Sequence, residues 1–176
     1  MNDQTIGSPG KWVIIDVVNG TRKLVMRQRT DRPADRNIDS YSTAVVIQWV
    51  YPEQEGTAKP PDAEWNRMER FEDAISDLMW ERGCSYLMNI STGLGMREWC
   101  FYARNRDDFM KRFNAALASH QRYPVEIKFY DDPEWKVWLD LRYAYERSGG
   151  EHAAPIGPSL PRGLISRIGS WFRRSN

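Results

Sequence analysis

The sequence predicts an α+β fold: a ferredoxin-like (split βαβ) antiparallel sheet with helices on one face, extended by an N-terminal β-hairpin and a further C-terminal helix. Three observations predict it. Apolar residues between positions 11 and 147 switch repeatedly between the two-residue period of strands and the three-to-four-residue period of helices. The segments run hairpin, then strand–helix–strand–strand–helix–strand, then helix, and the middle six have the split βαβ order. Asn19-Gly20 and Asp132-Pro133 supply a hairpin turn and a helix start where that order needs them.

Each element has its own warrant. In "KWVIIDVVNGTRKLVMRQR", two β-rich runs flank Asn19-Gly20, a pair suited to the left-handed dihedrals of a type I′ turn. The polar stretch "TDRPADRNIDSYS" is a loop, and "TAVVIQWVY" is apolar enough to be a central strand covered on both faces. After the loop "PEQEGTAKPPD", Trp65, Met68, Phe71, Ile75, Leu78 and Met79 recur at helical steps, with Asp62 as cap and Gly83 as stop. "SYLMNIST" and "REWCFYAR" are strands joined through Gly93 and Gly95. "RDDFMKRFNAALASH" is a second helix with Phe109, Phe113, Ala116 and Leu117 on one side, closed by His120. "YPVEIKFYD" returns to strand. A third helix follows, with Asp132 as N-cap and Pro133 in its first position.

Residues 11–147 thus form one domain, 148–161 a Gly/Pro-rich linker, and 162–174 a basic amphipathic tail helix. At about 100° per residue, Leu164, Ile165, Ile168, Trp171 and Phe172 share an arc of roughly 120°. Arg162, Arg167, Arg173 and Arg174 lie outside it. So short a helix does not persist alone in water, so the tail must lie against its own domain, a partner or an anionic membrane surface.

With 176 residues, the chain can bury a substantial core, and eight Trp, eight Tyr and six Phe supply large burial energies. The formal net charge of +1 argues against a nucleic-acid binder held by charge and against an acidic disordered chain. Residues 149–176 carry four arginines and one glutamate, net +3, which leaves −2 on the rest. Cys84 and Cys100 fit no metal spacing and read as buried free thiols in a reducing compartment. No secretory signal precedes the first strand, and no apolar run approaches the roughly 20 residues of a membrane span. The expected location is cytoplasmic.

The stretch "STGLGMREWCFYAR" could be taken for a phosphate cradle. It lacks the lysine and spacing of a Walker loop, and no helix begins after its glycines, so the expectation is a turn between antiparallel strands. Alternation then sends Arg97 and Glu98 to opposite faces, with Trp99 and Phe101 on one and Cys100 and Tyr102 on the other. An aromatic strand of this kind invites comparison with single-strand RNA readers, but the glycine and the basic surround are missing. The helical acids Glu69, Glu72, Asp73 and Asp77 read as a solvated face. Neither histidine has a nucleophile or second ligand nearby in sequence. No cofactor or metal is expected.

"YSTAVVIQWVY" from Tyr41 to Tyr51, "FEDAI" from Phe71 to Ile75, the turn residues Thr92, Gly93, Gly95, Arg97 and Glu98 with Tyr102, and Asp132, Pro133 and Trp135 come in a telling order. Together they resemble the bacterial domain-of-unknown-function family 695 over roughly Lys11 to Tyr145, although the first element departs from that family's YPxxVxIxWxY. The resemblance implies a compact α+β fold, no settled activity and a lean toward protein binding. Some members are joined to a domain like the type B regulator of ribonuclease E activity, which works by binding an enzyme. Arg97, Glu98, Tyr102, Asp132 and Trp135 are accordingly the candidate binding residues.

The sequence therefore favours a non-catalytic protein-binding module, of the kind that inhibits an enzyme or confers immunity to a toxin. Two alternatives stand. One is a phosphodiester hydrolase using Arg97 with Glu72, Asp73, Glu98 and Asp132, if these converge. The other is a membrane-surface adaptor held by the tail.

Overall fold

The computed structural model describes residues 10–19, 21–35, 37–79 and 84–147. The expected linker at 148–161, the tail helix at 162–174, Gly20 and Gly83 lie outside those residues. Six strands are present: β1 (Trp12–Asn19), β2 (Arg22–Arg29), β3 (Thr43–Val50), β4 (Ser85–Gly93), β5 (Met96–Ala103) and β6 (Val125–Asp131). They form one antiparallel sheet in the order β1-β2-β4-β5-β3-β6. Read from the far edge, β6-β3-β5-β4 is the order that interleaved βαβ units generate, and the hairpin adds itself beside β4.

The helices are α1 (Asp62–Ala74), the single turn α2 (Ser76–Met79), α3 (Arg106–Leu117) and α4 (Lys136–Arg147). Helices α1, α2 and α3 share one face, here the first. Phe71, Phe109 and Phe113 pack there against Val45, Ile47, Trp49, Trp99 and Phe101. Helix α4 covers the second face instead, where Trp135, Val137 and Trp138 meet Ala44, Val46, Tyr86, Met88, Cys100 and Tyr102. Strands β3 and β5 are consequently buried on both sides, which explains why their sequences carry so little polar alternation. Cys84 and Cys100 are buried free thiols. Among the described residues no helix is long and apolar enough to cross a membrane.

Several boundaries differ from the sequence expectation for identifiable reasons. Asn19 pairs with Arg22, so it belongs to strand β1 rather than to the turn. Asp62 is the first residue of α1 and not its cap; it takes an ion pair from Lys59 at 2.7 Å, and its charge suits the positive helix end. The expected long helix breaks at Ile75, which leaves both Ile75 and Leu78 buried in the core. Strand β4 carries a bulge between Leu87 and Asn89, which places Leu87 and Ile90 on the same face despite their spacing of three. Helix α3 starts where expected, because Asn105 accepts the Asp108 amide at 2.8 Å, but it ends before His120.

The β4–β5 turn is the two-residue Leu94-Gly95, both at positive φ (57° and 76°) and flanked by the Gly93↔Met96 pair. Gly93 itself sits against β2. A Cβ there would lie 2.3 Å from the Lys23 carbonyl oxygen, so only glycine lets the hairpin dock on β4. The glycine-rich stretch therefore serves strand pairing.

Helix α4 starts at Lys136, three residues later than Pro133 would suggest. Asp132 still caps it, since its carboxylate accepts the amides of Lys136 at 2.8 Å and Val137 at 3.0 Å. The intervening turn places Trp135 at φ 59°, a conformation that costs a bulky residue about 1–2 kcal/mol. Its ring stacks on Tyr102 with centroids 4.0 Å apart and planes within 7°. The Tyr102 hydroxyl donates to Asp132 Oδ2 at 2.5 Å and accepts the Trp138 amide at 3.3 Å. These contacts hold the chain as it leaves edge strand β6 and crosses onto the second face. Tyr102→Phe is expected to cost roughly 1–3 kcal/mol by leaving the buried Asp132 oxygen and the Trp138 amide short of a partner. Urea denaturation should show this as a lower midpoint at unchanged slope.

Candidate binding site

Arg97 is held on the first face by groups from two other elements. Only 8% exposed, it donates from Nε and Nη2 to Glu72 Oε1 of α1 at 2.9 and 2.5 Å, and from Nη1 to Thr92 Oγ1 at 2.9 Å. Trp65 and Trp99 lie 4.8 and 5.4 Å from its guanidinium carbon, and Trp99 Nε1 donates to the same Glu72 oxygen at 2.7 Å. Two other α1 acids are used similarly. Glu64 accepts Trp49 Nε1 at 3.0 Å and Glu69 accepts Trp65 Nε1 at 2.8 Å. Three acids of this helix thus accept indole N–H groups, those of the buried Trp49 and Trp99 and of the more open Trp65. The expectation that Glu72 belongs to a solvated face is overturned for that residue.

Beside Arg97 opens a cleft of about 290 Å³ between the start of α1 and the hairpin. Ile14, Val25, Ile90 and Trp65 give it an apolar lining, while Arg27 and Lys59 stand beside Arg97 as its cations. Ile14 is 72% exposed although it sits mid-strand, and it belongs to β1, the edge of the sheet. The opposite wall contains Ala58 and Lys59 in the loop after β3. Tyr51 fixes that loop by donating from its hydroxyl to the Ala58 carbonyl at 2.7 Å. Burial pushes the Tyr51 hydroxyl up to about 12.

The five candidate residues do not form one site. Arg97 lines the cleft; Glu98, its neighbour on β5, faces the other way and accepts Gln48 Nε2 at 2.9 Å. Tyr102, Asp132 and Trp135 are consumed by the α4 turn on the second face. Expected tail residues Leu164, Ile165, Arg167, Ile168, Trp171, Phe172, Arg173 and Arg174 lie outside the described residues. Sequence reasoning missed Trp65, Thr92, Ile14 and Val25. The signal for Thr92 was its place directly opposite Arg97 across the β4–β5 turn, readable once the register is known. Among the described residues no group of three or more His, Cys, Asp or Glu is placed to hold a metal ion.

A model described as "Family of unknown function (DUF695)" matches residues 11–143. No curated protein and no solved structure matches the chain.

Two measurements check this geometry. Glu72→Ala leaves a buried guanidinium and an indole N–H uncompensated and is expected to cost roughly 3 kcal/mol in chemical denaturation, with Glu72→Gln costing less. Tyr51 supplies a pH dependence. Its folded value lies above the ordinary 10.0, so its stabilising contribution is complete below pH 10 and is lost as pH rises through about 12. Tyr51→Phe should therefore flatten part of the alkaline loss of stability while leaving neutral-pH unfolding two-state.

Proposed function

We propose that this chain, which belongs to the family of unknown function DUF695, is a non-catalytic module that binds another protein through the cleft beside β1. An inhibitor of an enzyme, or an immunity-type protein that blocks a toxin, would use such a surface. The observation that carries this reading is the dispersal of the charged residues that chemistry would require. Arg97 and Glu72 neutralise each other on one face, Glu98 lies on the opposite face, and Asp132 is occupied with capping α4. What remains at the cleft is recognition chemistry: exposed Ile14 and Val25, an indole wall, and two accessible cations at Arg27 and Lys59.

An extended segment of the partner suits the site. As the edge of the sheet, β1 presents main-chain groups along its outer side, and an added strand would place every second side chain next to the apolar cleft. Acidic residues in that segment would meet Arg27 and Lys59. Such a mode relies on backbone pairing for affinity and on the cleft for specificity.

The test compares the full chain with an Ile14→Asp/Val25→Asp variant. Both positions are exposed, so the variant should unfold within a few degrees of the parent. Affinity capture from the native cell, identified by mass spectrometry and repeated with purified partner, should lose at least tenfold in affinity. Equal binding by the variant would remove the cleft from the reading. Turnover of a simple phosphodiester that Glu72→Gln abolishes would replace it with the hydrolase alternative.

A further inference from the structure

Strand β1 has β2 on one side and no further strand on the other among the described residues. The ladder fixes which of its main-chain groups are left over. Thr30 N donates to the Lys11 carbonyl at 2.9 Å, one step beyond the Trp12↔Arg29 pair, so Lys11 and every second residue after it bond toward β2. Trp12, Ile14 and Asp16 therefore turn their N–H and C=O groups outward. Their side chains share the first face, where Ile14 lines the cleft, and both Ile14 and Asp16 are exposed.

The charges beside this edge complement each other, but not within one copy. Arg27 is exposed opposite Ile14 on β2, and its guanidinium carbon lies 5.0 Å from the centre of the Trp12 ring. Asp16 and Arg27 take part in no ion pair among the described residues. Arg27 leans toward Trp12, whereas Asp16 stands four residues further along β1, about 13 Å away at the rise of a strand. The cation and the acid therefore flank the exposed Ile14 on opposite sides.

We infer that β1 pairs antiparallel with β1 of a second copy of this chain, about a two-fold axis at Ile14, and joins the two sheets into one. Three two-fold registers near the middle of the strand bring outward-facing groups together. Centred on Asp16, the pairing opposes two carboxylates, which is destabilising. Centred on Ile15, it sets each Asp16 beside an isoleucine. Centred on Ile14, it sets each Asp16 beside Trp12 of the other copy, where the Arg27 guanidinium already lies, and closes the two exposed isoleucines on each other. Charge complementarity and apolar burial thus select the same register. Because the strand meets its own copy, the assembly stops at two. The contact is confined to one edge strand and its flanks, so a weak dimer, dissociating at roughly micromolar concentrations, is expected. The inference rests on the same reading of β1 as an open edge and adds regulation to it, since a partner's strand has to displace the second copy.

Sedimentation equilibrium of the purified full chain tests this, over about 1 to 300 μM at low salt. The parent should show a monomer–dimer equilibrium. Asp16→Arg and Arg27→Asp, each alone, should weaken it roughly tenfold or more, because each places like charges together at both ends of the ladder. Mixed in equal amounts, the two variants should associate about as well as the parent, since only the mixed pair regains opposite charges at both ends. Both positions are exposed, so each variant should melt within a few degrees of the parent. A monomer at every concentration, an open-ended series of oligomers, or a dimer indifferent to both reversals would each overturn the proposal. The purified protein contains no partner, so the result is independent of whether one is captured.

Discussion

The structure depends on a strand with no solvent side. Strand β5 is buried on both faces, so each alternate residue must be matched by a different layer. Arg97, Trp99 and Phe101 turn toward α1 and α3; Glu98, Cys100 and Tyr102 turn toward α4 and the far side of the sheet. Burial of apolar side chains supplies the driving force, but it does not orient the layers. That is done by the polar members of the alternation, since each buried polar group permits few partner positions.

Two anchors on that one strand set the positions of two helices. Arg97 fixes α1 through Glu72, and the same carboxylate takes the Trp99 indole two residues along the strand. Five residues from Arg97 and on the reverse face, Tyr102 fixes the entrance to α4 through Asp132 and the stacked Trp135. Burial holds the Tyr102 hydroxyl well above its ordinary value, so it keeps its proton and remains a donor to Asp132 at any physiological pH. The residues that look most like catalytic machinery thus hold layers in register. The open cleft lies at the margin, between the start of α1 and the hairpin that extends the sheet.

Element types and order were legible because periodicity is a local property. The two-period runs became strands and the three-to-four-residue runs became helices, and Asp132 caps the final helix despite its later start. The opposite orientations of Arg97 and Glu98 were also legible, as strand alternation allows nothing else. The candidate site was legible only in part. Arg97 was found, but Glu72 was read as solvated, because helical spacing cannot reveal that Trp99 and Arg97 stand opposite it from a strand some 25 residues later.

By itself the sequence determined the set of elements, the glycine turn, the aromatic payload and the alternating faces of β5, all of which follow from near-neighbour sterics and spacing. Only the tertiary structure decided that α4 crosses to the second face, that the bulge at Met88 realigns β4, and that the hairpin completes a cleft with α1. Those outcomes depend on which distant groups meet. The pairing of Gly93 with β2, the Glu72 carboxylate with two strand residues and Asp132 with Tyr102 are contacts between segments far apart in the chain, and no local pattern encodes them.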